Sequence, residues 1–324
     1  MYGINNTIYK ECTVINTMHP KRSINLHRIN MIYKVAFWVT IVVGFIIIAA
    51  LIMQGKHNRA VKMTIQESPH IDELLRLLHV DANSIDDIDM VGVIVEPREH
   101  HNLIPVLKNF QEVFPTKTVF VFHGTNNEEM ILRAMTDGTI QSEKIVMMPL
   151  NLPQLTIRQY NYLLTHAQFY EKLPGDFLLI FQTDSILFTN SKVNIQDFMH
   201  YDYVGAPWNV LNRIKRNMDS ALQFNSISRH NESGNGGLSL RRRNTMLETV
   251  KKLPYLSIPH IPEDVYFSNA LHEMGASIPT DEEAAKLFFE RVETGELPLG
   301  AHKHLPKNNA DLITEEERKI VESY

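Results

Sequence analysis

Residues 177–184 read Phe177-Leu178-Leu179-Ile180-Phe181-Gln182-Thr183-Asp184: five consecutive apolar side chains, then a short polar turn that ends in a carboxylate. A short run that is apolar on both of its alternating faces fits a strand buried on both sides, as in a parallel sheet covered by helices. The segments upstream agree. Asp89 to Val95 (DMVGVIV), Thr118 to Phe122 (TVFVF) and Ile145 to Met148 are further strand candidates. Between them, Leu103, Val106, Leu107 and Phe110 recur at helical spacing within 102–114, and Glu128 to Met135 also reads as helical. Ile157 to Leu173 reads as one long amphipathic helix, stopped by Pro174-Gly175. This alternation predicts an α/β domain with a largely parallel sheet covered on both faces. In open sheets of that kind, ligands bind beyond the carboxyl ends of the strands. Asp184 stands at such an end.

The chain has 324 residues, enough for one large domain or two small ones. Its 37 acidic and 32 basic residues leave a net charge of −5, which does not mark a nucleic-acid binder. Cys12 is the single cysteine, so no disulfide forms within the chain, and a cysteine zinc site is disfavoured.

Val35 to Met53 is a run of 19 residues without a charge, flanked by Lys34 and Lys56, with Trp38 near its first end. About 20 apolar residues in a helix match a hydrocarbon core of about 30 Å, and an indole suits the interface. The run ends in Leu51-Ile52-Met53-Gln54, without the small residues of a signal-peptidase site, so an uncleaved signal anchor is expected. Lys21, Arg22, Arg28 and Lys34 precede it, against Lys56, Arg59 and Lys62 after it, a bias that places the N-terminus in the cytoplasm. The expected organisation is a cytoplasmic tail at 1–34 (Met31 being an alternative start), a single transmembrane helix at 35–53, a stem at 54–86, the globular domain at 87–306 and a C-terminal tail or helix at 307–324. Asn209 to Ser233 carries Arg213, Lys215, Arg216 and Arg229 among few apolar positions; it reads as a surface loop or as a lid over an anionic ligand.

Four short segments carry candidate chemistry, each with a plainer reading beside it. Asp184 is either a turn residue or a ligand for a divalent cation whose other ligands are phosphate oxygens and water. Gly234-Asn235-Gly236-Gly237 is either a hairpin turn or backbone that approaches a ligand closely. Glu263 and Asp264 follow Pro262, so they either complement a helix dipole or supply a general base. His302 and Lys303 are either exposed polar residues or a metal ligand beside a phosphate partner.

Taken in order, these segments resemble GT-A glycosyltransferases, which share an Asp-x-Asp-type motif after a central strand, a glycine loop, an x-Glu-Asp motif and a C-terminal histidine. The sequence is most similar in motif to an uncharacterised GT-A-like family at VIVEPREHHNL, IFQTDSILF, YDYVGAPW, GNGGLSLR, PEDVYF and GAHK, over about residues 90–306. The Glu-Asp-Val-Tyr run at 263–266 is also similar to that of β1,3-galactosyltransferase-like enzymes. The resemblance implies a Rossmann-like GT-A fold and a nucleotide-sugar donor, UDP-linked, bound with Mn²⁺ or Mg²⁺. It implies that Asp184 and His302 hold the cation, and that Glu96, Arg98, Gln182, Thr183, Asp184 and Lys303 contact the donor. Asn235, Gly236, Gly237 and Trp208 would line the sugar or acceptor side, Trp208 being equally a core residue. Asp264, or Glu263 in its place, would be the base of an inverting displacement. Gln182 replaces the first acid of the motif, which puts the metal in question.

The expected protein is therefore a membrane-anchored, single-pass type II glycosyltransferase of a Golgi/ER-type secretory membrane. Its acceptor, a glycan, protein or lipid, is not specified. The alternative is a catalytically inactive sugar- or nucleotide-binding protein on the same fold.

Overall fold

A computed structural model of the protein describes residues 38–39, 43–44, 89–208, 234–255 and 261–323. Trp38, Val39, Val43 and Gly44 are helical. The rest of the expected tail, transmembrane run and stem lies outside the described residues, as does the basic segment 209–233. Among the described residues no helix is long and apolar enough to cross a membrane.

The chain enters the sheet at β1 (Met90–Glu96) and continues through α1 (Leu103–Val113), β2 (Val119–His123), α2 (Glu128–Thr136) and β3 (Ile145–Pro149). Two short helices follow, α3 (Ile157–Leu164) and α4 (Ala167–Glu171), where one long helix was expected. The break has a local cause. The Thr165 hydroxyl bonds back to the carbonyl of Asn161, and the His166 imidazole accepts the N–H of Gln168, starting a new helix. Next come β4 (Phe177–Phe181), β5 (Ser185–Leu187), β6 (Tyr203–Ala206), β7 (Asn235–Arg242) and α5 (Arg243–Lys252). The last elements are α6 (Glu263–Glu273), α7 (Asp281–Leu287), β8 (Phe288–Phe289), β9 (Gly300–His302) and α8 (Glu315–Glu322).

The main sheet has the order β3-β2-β1-β4-β7-β6. Strands β3, β2, β1 and β4 are mutually parallel, as expected. β7 runs antiparallel to both β4 and β6, so the sheet is mixed. A second, small sheet has the order β5-β9-β8. Alternation along β1 divides the core. Met90 and Ile94 face a layer built with Leu103, Leu107 and Phe110 of α1 and Ile320 of α8. Val91, Val93 and Val95 face a layer with Leu163 of α3, Phe169 of α4, Met246 of α5 and Phe267 of α6. Both faces are thus covered, and each fully buried aliphatic or phenyl side chain contributes about 1.5–3 kcal/mol.

The C-terminal segment is a helix, α8, and it is tied to the domain. Thr314 and Glu317 form a capping box at its start. The Glu317 carboxylate also accepts from the N–H and hydroxyl of Thr189. Asn102 donates to the carbonyls of Ile320 and Thr183, so α8 braces the loop that carries Asp184.

Candidate active site

The strand order reverses between β1 and β4, and a cavity of about 440 Å³ opens at their carboxyl ends. Its β1 side is Glu96, Pro97 and Arg98. Arg98 is held by Glu96 in a two-point pair, Nε to Oε1 at 2.8 Å and Nη2 to Oε2 at 2.7 Å. Buried Asn127 fixes this turn by donating to the carbonyls of Glu96 and Arg98 while accepting the N–H of Gly124. The guanidinium remains about half exposed, as a cation at the rim.

The β4 side is Gln182, Thr183 and Asp184. Directly after Asp184 the chain enters β5, where Ser185 is the register partner of His302 in β9. That antiparallel pairing brings His302 Nε2 to 3.3 Å from Asp184 Oδ1, with both side chains buried. Lys303 takes a left-handed backbone conformation (φ 62°), its N–H bonds the Asp184 carbonyl, and its ammonium stands 3.7 Å from Asp184 Oδ2. Burial alone would raise the Asp184 carboxyl. His302 and then Lys303 outweigh it and hold the group below its ordinary value. The 3.3 Å approach is not an aligned hydrogen bond: Asp184 Oδ1 and both ring nitrogens of His302 lack hydrogen-bond partners among the described residues.

The floor is β7. Of the glycine segment, Asn235, Gly236 and Gly237 are buried strand, which rules out the hairpin-turn reading, while Gly234 precedes the strand with φ 74°. Its glycines make room for side chains. A Cβ at Gly237 would overlap His302 Nε2 and lie 2.6 Å from Gln182 Oε1. A Cβ at Gly236 would overlap Glu263 Oε1 and lie 2.8 Å from Arg241 Nη2.

Glu263 is committed to a buried ion pair with Arg241, at 3.0 and 3.1 Å. The guanidinium also lies 5.2 Å from the Tyr203 ring centroid and 5.3 Å from that of Phe267. Burial works against its charge, but Glu263 above all holds its pKa well above that of an ordinary arginine. Glu263 is the first residue of α6 and Asp264 the second, after Pro262 at the cap position. The Glu263 N–H donates to Asn161 Oδ1 at 3.3 Å, joining α6 to α3. Asp264 also lines the cavity.

Of the residues singled out in the sequence, the cavity gathers Glu96, Arg98, Gln182, Thr183, Asp184, Asn235, Gly237, Glu263, Asp264, His302 and Lys303. Gly236 lies beneath, against the ion pair, and is not part of the lining. Trp208 takes the second of its two expected places: it is 2% exposed, in the hydrophobic core with Leu178 and Ile180, and away from the lining. Sequence reasoning missed Tyr160 and Asn161 of α3, which line the cavity, and Arg241 beneath it. Tyr160 and Asn161 sit in a helix whose periodicity signals only burial. The one hint of Arg241 was a charge in an otherwise apolar alternation, Leu238 and Leu240 flanking Ser239.

As a cation site, Asp184 and His302 supply an oxygen and a nitrogen in suitable proximity. Cis ligands about 2.1 Å from an octahedral ion stand about 3 Å apart. Among the described residues, no group of three His, Cys, Asp or Glu side chains is placed to hold a metal ion. These two could therefore provide only part of a coordination shell.

The family model described as "Protein of unknown function (DUF5672)" matches residues 144–302, which include every cavity residue from Thr156 to His302. No curated protein matches the chain. Among solved structures, the chain is similar to the galactosyltransferase LgtC in complex with donor and acceptor sugar analogs, at 11% identity and a TM-score of 0.42, covering 72% of this chain and 96% of that one. It is similar to the apo-form glycosyltransferase GlyE of Streptococcus pneumoniae at 9% identity and a TM-score of 0.40, covering 68% and 56% respectively. It is also similar to glucosyl-3-phosphoglycerate synthase of Mycobacterium tuberculosis, in complex with Mn²⁺, UDP and phosphoglyceric acid, at 12% identity and a TM-score of 0.36, covering 63% and 69%.

Proposed function

We propose that the protein is a GT-A-type glycosyltransferase that moves a sugar from a nucleotide diphosphate, UDP in the first instance, to an acceptor hydroxyl. The observation that carries this reading is the gathering of Asp184, His302, Lys303, Arg98 and Asp264 around one cavity at the β1/β4 switch point. Arg98 and Lys303 supply positive charge at the rim for a diphosphate. Asp184 and His302 would hold a divalent cation, Mn²⁺ or Mg²⁺, which when bound neutralises charge on the departing diphosphate.

In the inverting reaction proposed here, the acceptor oxygen bonds to the anomeric carbon, and the bond from that carbon to the diphosphate oxygen breaks. The diphosphate leaves with the electron pair, and the acceptor proton passes to the Asp264 carboxylate. Asp264 is preferred over Glu263 because the Arg241 ion pair stabilises Glu263 as a charged, committed carboxylate.

Gln182, uncharged at the place of an acid, supports a second reading, a sugar- or nucleotide-binding protein without turnover. Calorimetric titration with UDP and Mn²⁺, with and without chelator, tests the binding common to both readings. Saturable binding that weakens on chelation is expected; no binding of UDP or any other nucleoside diphosphate would overturn the transferase and the nucleotide-binding form of the second reading. Residues 35–53 are proposed as a single-pass type II anchor in a secretory membrane. Retention in membranes after carbonate washing is expected, and release into the soluble fraction would refute it.

A further inference from the structure

The Gln182 amide is held in one orientation. Its Nε2 donates to the Tyr160 hydroxyl at 2.8 Å. Its backbone N–H donates to Ser185 Oγ at 3.2 Å, and that hydroxyl donates to the Gly237 carbonyl at 2.9 Å. With the nitrogen engaged by Tyr160, the amide oxygen faces the bare Cα of Gly237, the same point on which His302 Nε2 converges. His302 Nε2 is in turn 3.3 Å from Asp184 Oδ1. The amide oxygen of Gln182 and Nε2 of His302 thus converge over one glycine, and Nε2 in turn stands beside the Asp184 carboxylate. Amide carbonyls bind hard cations as carboxylates do, without bringing charge. Burial and the charge on Glu263 push the Tyr160 phenol up, so it stays a neutral hydroxyl.

We infer that Gln182 Oε1 is a third, uncharged ligand of the cation site, and that Tyr160 is a positioning residue that fixes which end of the amide faces the ion. This rests on the Asp184–His302 cation site proposed above. An amide in place of a carboxylate leaves the site one negative charge short. The cation then depends on diphosphate oxygens to complete its shell, and each ligand raises the affinity for the other.

The test is titration of the full-length chain with Mn²⁺ alone, free ion being read by its electron paramagnetic resonance signal and folding by circular dichroism. Gln182→Leu weakens binding at least about tenfold, and Tyr160→Phe weakens it by about tenfold, within the range for partners that orient a ligand. Gln182→Glu tightens binding about tenfold, and adding Tyr160→Phe to it changes nothing further, since a carboxylate presents an oxygen whichever way it turns. A merely structural role for Tyr160 would weaken both backgrounds alike. If Gln182→Leu and Tyr160→Phe titrate like the wild type while Asp184→Ala loses the ion, the inference fails and the two-residue site stands. If the wild type and Asp184→Ala give the same curve, the cation site itself fails, and the inference with it. Should Gln182→Leu not fold, unchanged affinity in Gln182→Glu overturns the inference.

Discussion

His302 Nε2 lies 3.3 Å from Asp184 Oδ1 because Ser185 and His302 are register partners in the short β5/β9 ladder. Three pairs of residues in that ladder join two chain segments far apart in sequence. The side-chain juxtaposition is therefore backed by main-chain hydrogen bonds and does not depend on loop conformation.

This contact makes stability depend on acid. The Asp184 carboxyl sits below its ordinary value in the folded chain. Its ionised form therefore contributes stability that is fully present above the unfolded pKa, about 3.9, and is lost as pH falls through the lower folded value. Thermal denaturation of the wild type and Asp184→Asn between about pH 3 and 7 checks this. The difference in Tm is expected to be constant above about pH 5 and to shrink below about pH 4. A difference that holds steady to the lowest pH contradicts it.

The two glycines of β7 separate site from scaffold. Gly237→Ala places a methyl against His302 and Gln182, so the cavity is distorted and nucleotide binding falls at least about tenfold, with a loss of about 1 kcal/mol in stability. Gly236→Ala drives a methyl into the Arg241–Glu263 pair and costs more, about 2–3 kcal/mol. Urea denaturation and UDP titration of both variants read the two effects; the reverse ranking of stability would contradict this assignment.

Arg241 is expected to be scaffold. Arg241→Met leaves Glu263 charged and buried without its partner, a loss of about 3–5 kcal/mol. Arg241→Met combined with Glu263→Leu removes both charges and is expected to recover most of that loss. Urea midpoints of the single and double variants decide it; a double variant as unstable as the single one would show that the pair is not the cause.

Much of this frame is legible in residues. Strands β1 to β4 announce themselves as short apolar runs, and placing Asp184 just after Phe177–Phe181 locates the ligand edge. The boundaries of α1 and α2 follow from apolar spacing. What stayed hidden is non-local. Nothing in Asn235–Arg242 shows that it reverses direction beside β4, or that Arg241 is buried because Glu263 waits 22 residues away. Likewise the spacing of Asp184 and His302 carries no signal of their meeting, which came from resemblance and is produced by a three-residue strand. The break at Thr165 and His166 depends on two side-chain hydrogen bonds that compete with an otherwise continuous helical pattern.

Asp264 and Glu263 are neighbours with different duties. Asp264→Asn keeps the shape and removes the proposed base, so transfer falls by about 10² to 10⁴ with donor affinity nearly unchanged. Glu263→Gln weakens the Arg241 pair and is expected to lower stability instead. Wild-type transfer in Asp264→Asn would remove it from the chemistry, and loss of donor binding or of folding would make it a helix-start residue.

The proposed function requires turnover of a nucleotide sugar in this cavity. Release of free sugar from a panel of nucleotide sugars, with Mn²⁺ and no added acceptor, is measured for the wild type and for Asp184→Ala. Slow release from at least one donor by the wild type, lost in the variant, is the predicted result. Tight donor binding with no release from any member of the panel, and no transfer when acceptors are added, would contradict it and leave a binding protein on the same fold.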